Sequence, residues 1–339
     1  MTHDLHTFIT RAQSGQHLTR NEAESAFEQL LSGDVDDETI IALLTALRDK
    51  GETKDEILGA VTAIRKRAVT LNAPEGSIDT CGTGGDAKGT YNISTTVAVV
   101  LAACGLPVAK HGNRSVSSKS GSADVLEHLG VKLDADVATL EQCLNEAGIC
   151  FMMAPQFHSA MKHVASARKA IGTRTIFNIL GPLLNPASID YQLLGVFDRS
   201  LSRVLAEVLQ ELGTKGAWVV HGADGLDEMS ISGETYVCAL EDGALSEFTV
   251  TPDDAGLSAH PIDALIGGDA EENADALMAV LTGAESAYRD AVLLNTAAAL
   301  KAADKVDDLQ AGVALAAEAI DSNRAHTTLQ QWIKCSQGV

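Results

Sequence analysis

Asp79-Thr80-Cys81-Gly82-Thr83-Gly84-Gly85-Asp86 places three glycines within four positions and brackets them with two carboxylates. Glycine serves where a backbone must take positive φ or approach another group closely, and it adds no core contact in return. Downstream, Asn92, Ser94, Thr95 and Thr96 precede the apolar run 97–101 and are residues of the kind that cap a helix start. Strand, glycine turn and helix in succession predict a βα unit whose turn presents backbone N–H groups beside a helix N-terminus, the makings of an anion nest. A plain tight turn would also fit this composition. The Gly-Lys-Ser/Thr ending of a Walker loop and the three glycines over six positions of a dinucleotide turn are both missing, which argues against a P-loop NTPase or an ordinary dehydrogenase.

Before the turn, the first seventy or so residues read as consecutive amphipathic helices, with caps and breaks at Thr19, 32–36 and 51–53. Ile40, Ile41, Leu43, Leu44 and Leu47 form one such stripe. After Pro74, short β-type runs such as 106–109 and 218–220 alternate with alanine-rich helical stretches. That alternation predicts an α/β fold with a mostly parallel sheet. The runs 229–232, 235–240 and 245–250 predict antiparallel strands near one edge, and 271–333 returns to long helices.

Composition narrows the partners. At 339 residues and 45% hydrophobic, the chain can bury a sizeable core. A net charge of −21 argues against general nucleic-acid binding and against an anionic membrane surface. Six scattered cysteines with no CxxC pair read as reduced thiols, and the first residues lack a basic-then-apolar leader pattern, so a cytoplasmic protein is expected. No apolar run reaches transmembrane length.

Against that acidic background two segments are cleared of carboxylates. Between Asp79 and Ser122 the only acids are Asp79 and Asp86, alongside Lys88, Lys110, Arg114 and Lys119. Residues 147–189 contain no acid, yet hold His158, Lys162, His163, Arg168, Lys169 and Arg174. They read as two walls of an anionic-ligand site. Lys110-His111-Gly112-Asn113-Arg114 follows an apparent strand and runs into Ser115, Ser117, Ser118, Lys119, Ser120, Gly121 and Ser122, a set suited to phosphate oxygens at a strand's carboxyl end. A solvated polar loop is the plainer reading.

Asp227-Glu228 ends an apolar strand and offers adjacent hard oxygen ligands of the sort Mg²⁺ takes together with substrate phosphates, although adjacent acids are also common on helix surfaces. Arg168 could hold a small carboxylate bidentately or simply face solvent on a helix. Neither a Ser/His/Asp set nor a zinc-ligand cluster is evident, which argues against a hydrolase or a zinc enzyme.

Taken together, Gly82-Thr83-Gly84-Gly85-Asp86, Asn92-Ile93-Ser94-Thr95, Lys110 to Arg114 with its serines, Arg168 before Phe177-Asn178-Ile179-Leu180-Gly181-Pro182, and Asp227-Glu228 resemble the anthranilate phosphoribosyltransferases of tryptophan biosynthesis. Order and spacing agree over nearly the whole chain. The resemblance implies transfer of phosphoribose from 5-phosphoribosyl 1-diphosphate to the amine of anthranilate, with release of diphosphate. It assigns Gly82, Gly84, Gly85, Asp86, Thr90, Asn92, Ser94, Thr95, Lys110 and Ser122 to the phosphoribosyl substrate. Gly82, His111, Asn113 and Arg168 would face anthranilate, and Ser94, Asp227 and Glu228 would hold Mg²⁺.

The fold so implied is a small helical domain (1–72, with a returning segment at about 165–188) joined to an α/β domain over the remainder of 73–339. The family is usually homodimeric through the helical part. A pyrimidine-nucleoside phosphorylase shares the architecture and the glycine turn but resembles 110–114 less well. A non-catalytic, nucleic-acid-binding relative would carry a basic surface.

Overall fold

The computed structural model describes residues 4–114 and 119–339. Ser115, Ser117 and Ser118 of the serine run lie outside the described residues. In chain order the helices and strands begin with α1 Leu5–Gln13, α2 Arg20–Leu30, α3 Asp37–Lys50 and α4 Lys54–Arg65. There follow β1 Ile78–Gly82, α5 Ile93–Ala103, β2 Val108–Gly112, α6 Ser122–His128, α7 Val137–Glu146 and β3 Ile149–Met153. Three further helices, α8 Ala154–Phe157, α9 Lys162–Ile171 and α10 Phe177–Leu180, precede β4 Tyr191–Gly195, α11 Ser200–Glu211 and β5 Gly216–Gly222. The chain closes with β6 Thr235–Glu241, β7 Ala244–Val250, α12 Ala270–Leu281, α13 Ala287–Ala302, α14 Leu309–Asp321 and α15 Arg324–Gln337.

Two compact units result: the chain up to Thr70 with Ala154–Pro186, and Leu71–Met153 with Ala187–Val339. The first is all helical and the second is α/β, the fold class read from the sequence. The return into the helical unit starts at Ala154, directly after β3 and earlier than about 165. Local hydrogen bonds hold the extra residues there. Val69 N donates to Phe157 O at 3.0 Å, and His158 Nε2 is 2.9 Å from Leu184 O.

Within the helical unit, the expected breaks are true caps. Thr19 and Thr53 each form a capping box, with Glu22 and Glu56 respectively, and Asp36 caps α3. Glu56 does more than cap. It is fully buried, pairs with Lys50 Nζ at 2.6 Å and accepts Leu18 N at 2.8 Å, so its charge is compensated on each side. Phe27 of α2 meets Phe177 of α10 edge-on with ring centroids 5.8 Å apart, tying the returning segment to the first helices.

In the α/β unit, the described residues form a sheet of seven strands in the order β3-β2-β1-β4-β5-β6-β7. The first five are parallel, and β6 and β7 run antiparallel at the edge, where residues 235–250 predict them. Residues 229–232, however, form a loop. Their backbone groups find partners outside a ladder: Met229 N donates to Asn295 Oδ1 at 2.8 Å, Ser230 N to Thr235 Oγ1 at 2.8 Å, and Ile231 O accepts His260 N at 3.0 Å. Nearly every residue of α13 is buried, as its all-round apolar sequence requires, and it packs on α5, α14, β4 and β5.

Strand order fixes where a ligand can sit. From β1 the chain winds outward through β2 and β3, then restarts on the other side of β1 with β4. The carboxyl ends of β1 and β4 therefore flank a topological switch point, the crevice where open α/β sheets bind ligands. Gly82 and Gly195 are register partners at that point.

Candidate active site

The first anion in the glycine turn belongs to the protein itself. Gly84 N donates to Asp227 Oδ2 at 2.7 Å. A Cβ on Gly82 would come within 2.9 Å of Asp227 Cγ, and one on Gly195 would overlap the Asp227 carbonyl. Two paired glycines thus clear the space through which the 222–232 loop brings its carboxylates to the switch point. Gly84 and Gly85, at φ 68° and 80°, turn the chain back over that carboxylate, and Ala87 follows at φ 58°.

The second carboxylate caps a helix. Glu228 Oε1 accepts Ser94 N at 3.2 Å, at the N-terminus of α5, where the helix dipole favours negative charge. Asn92 occupies the N-cap position of α5 but makes no side-chain cap bond. The expected local cap is replaced by a residue from a strand end far along the chain.

Asp227 and Glu228 keep some accessible surface, yet protein surrounds them on most sides. Burial is the first cause lifting both carboxyls above the ordinary carboxylate range. Repulsion from Asp86 adds to it at Asp227, and repulsion from Asp227 adds to it at Glu228. Lys110 acts in the opposite direction on Glu228. Its side chain is buried, hydrogen-bonded by Nζ to Thr80 O, with Ser94 Oγ 3.4 Å away. Lys110 thus lies beneath the site as an internal counter-charge.

Adjacent hard carboxylate oxygens suit Mg²⁺ better than a softer metal. Among the described residues no group of three or more His, Cys, Asp or Glu is arranged to hold a metal ion. Where Mg²⁺ is held by only one or two carboxylates, substrate phosphates and water complete its shell.

The remaining expected residues fall on both units. In the α/β unit Thr95 Oγ1 donates to Ser122 Oγ at 2.9 Å, joining the start of α5 to the start of α6. Thr90 pairs with Ile266 in an antiparallel bridge. His111 is buried at the end of β2, its N–H 3.3 Å from Asp79 Oδ1, and the Asn113 side chain accepts Arg114 N at 2.8 Å. Arg114 is committed to α6, with Asp124 at 2.9 Å and Glu127 at 2.8 Å, so it adds little positive charge to the loop. Arg168 belongs to the helical unit, on α9, its guanidinium 4.9 Å above the Phe177 ring. Burial and Asp79 push the Cys81 thiol well above the usual range, which disfavours its thiolate.

Sequence reasoning passed over Gly195, Asn273 and Asn295. Gly195 carried a signal, since a glycine inside an apolar strand run marks close approach of another backbone. The two asparagines carried none.

Comparison with known proteins agrees with this geometry. Residues 6–68 match the helical bundle domain of the glycosyl transferase family, and residues 75–326 match its a/b domain. The anthranilate phosphoribosyltransferase of Beijerinckia indica is 54% identical over 329 residues, covering 97% of this chain and 96% of that protein. The chain belongs to the anthranilate phosphoribosyltransferase family. A second family member, from Rhodopseudomonas palustris, is 52% identical over 98% of both chains.

Among solved structures, the family's enzyme from Thermus thermophilus superposes with a TM-score of 0.92 at 41% identity, covering 97% of this chain and 99% of that one. The Saccharomyces cerevisiae enzyme in complex with PRPP and Mg gives 0.91 at 28% identity over 99% and 98%. Relatives of this kind favour a phosphoribosyltransferase over the phosphorylase and over a non-catalytic relative.

Proposed function

We propose that this protein transfers phosphoribose from 5-phosphoribosyl 1-diphosphate to the amine of anthranilate, giving N-(5-phosphoribosyl)anthranilate and diphosphate in tryptophan biosynthesis. The observation that carries the reading is the Asp227-Glu228 pair held at the β1/β4 switch point, with one carboxylate in the glycine turn and the other on the N-terminus of α5.

In this reading Asp227, Glu228 and Ser94 hold Mg²⁺, which when bound neutralises charge on the departing diphosphate. Gly82, Gly84, Gly85 and Asp86 line the diphosphate and ribose, with Thr90, Asn92, Thr95 and Ser122 beside them. Lys110 supports them from beneath, favouring the ionised form of Glu228. Gly82, His111, Asn113 and Arg168 recognise anthranilate. Because a neutral aromatic amine is already nucleophilic, the residues need to position it and keep the developing charge solvated by fixed dipoles; a strong base is unnecessary.

A homodimer through the helical unit belongs to the same proposal. Cytoplasmic residence is also proposed. Among the described residues, no helix is long and apolar enough to cross a membrane.

The test is direct: mixing the protein with anthranilate, 5-phosphoribosyl 1-diphosphate and Mg²⁺ should extinguish anthranilate fluorescence. Unchanged fluorescence at every Mg²⁺ concentration would refute the assignment.

A further inference from the structure

A backbone N–H can only donate, and this elementary fact fixes the orientation of two amide side chains in series. Gly268 N donates to Asn273 Oδ1 at 2.8 Å. The other end of the Asn273 amide is therefore its NH₂, which donates to Asn92 Oδ1 at 2.9 Å. The Asn92 amide is in turn oriented with its own NH₂ outward, directed at the loop carbonyl of Ser120 at 3.5 Å. Since Glu228 caps α5 instead of Asn92, the Asn92 Oδ1 is spared from capping and accepts Asn273 instead.

Asn273 is built into place. It is 2% exposed on α12, and the segment just before that helix is tied to the far arm of the glycine turn: Gly267 N donates to Gly89 O at 2.8 Å and Tyr91 N to Leu265 O at 2.9 Å. A Cβ on Gly267 would stand 2.6 Å from Asn273 Oδ1, 3.0 Å from Tyr91 N and 3.1 Å from Thr90 O, so only glycine fits the junction. The Asn92 backbone is held independently, its carbonyl accepting the Tyr288 hydroxyl at 3.3 Å.

We propose that Asn273 is a positioning residue for the phosphoribosyl substrate: it locks the Asn92 amide so that a hydrogen-bond donor, never the carbonyl oxygen, is presented to substrate oxygens. An unlocked Asn92 could flip and turn an acceptor toward an anion, which repels it. The inference rests on the phosphoribosyltransferase reading.

Asn273→Asp isolates the effect. It retains an acceptor for Gly268 N, so the loop keeps its bond, but sets a carboxylate oxygen against Asn92 Oδ1. The expected result is a dissociation constant for 5-phosphoribosyl 1-diphosphate, measured by calorimetry with Mg²⁺, raised about tenfold, the scale of one charge-assisted hydrogen bond. The KM for anthranilate should stay at its wild-type value. In an Asn92→Ala background the same substitution should change nothing further.

Asn273→Ala, which removes the donor to Asn92 Oδ1 and adds no buried charge, is a second route to the same loss should the first variant fail to fold. Wild-type affinity in Asn273→Asp, or an equal tenfold loss in the Asn92→Ala background, would overturn the proposal. Should the wild-type protein itself neither bind the substrate nor consume anthranilate, it is the parent reading that fails.

Discussion

Two arms meet at the switch point, and they are built in opposite ways. The glycine arm, 82–89, bends through left-handed backbone at Gly84, Gly85, Ala87 and Gly89. Its inner end is pinned by a distant carboxylate, Asp227, on Gly84 N. The carboxylate arm, 222–232, is instead over-determined by side chains. Asp224 accepts Ser230 Oγ at 2.7 Å, Ser232 Oγ at 2.5 Å and Leu226 N at 3.1 Å. Asn295, fully buried on α13, takes both backbone groups of Met229, at 2.8 and 3.0 Å. The charged arm is thus fixed by side-chain hydrogen bonds of its own, and the glycine arm is bonded to it through Gly84. Preorganisation of this kind matters because two like charges held together gain nothing from relaxing apart when a cation arrives.

Breaking the link between the arms should have the largest effect. Asp227→Asn leaves an acceptor for Gly84 N but removes charge, and kcat/KM should drop by on the order of 100-fold, the scale of losing one electrostatic element. Steady-state rates at limiting Mg²⁺ decide this, and an unchanged rate would remove Asp227 from the metal role. Next comes the scaffold of the carboxylate arm: Asn295→Leu abandons two buried backbone groups and should cost about 2–3 kcal/mol in urea unfolding. A cost near zero would mean that the 222–232 loop is held by Asp224, Thr235 and its backbone bonds without Asn295.

The smallest effect belongs to the glycine arm's own backbone. Ala87→Gly relieves about 1 kcal/mol of left-handed strain and returns about 0.4–1 kcal/mol of unfolded-state entropy, so the terms nearly cancel. Calorimetry should place the melting temperature within about 2 °C of wild type. A larger shift in either direction would show that the turn's shape at Ala87 is not set by φ alone.

Local signals in the chain translated well. Thr19 and Thr53, each followed three residues later by glutamate, predict helix starts because a capping box closes within one turn. The alternation after Pro74 predicts a parallel sheet, and the glycine cluster predicts an anion nest. Readings that needed a partner went astray. Asn92 looks like a cap but its cap is Glu228, Arg114 looks available but is spent on Asp124 and Glu127, and 229–232 looks extended but is tied to Asn295 and Thr235.

The sequence by itself determined most of the elements, their class and the residue types able to handle a phosphorylated substrate, since each depends on neighbours within one turn or one strand. Only the tertiary structure decided what the glycines at 82 and 195 are for. Their missing Cβ atoms admit Asp227, and that requirement exists only once sheet order has set β1 against β4 and carried the loop after β5 over both.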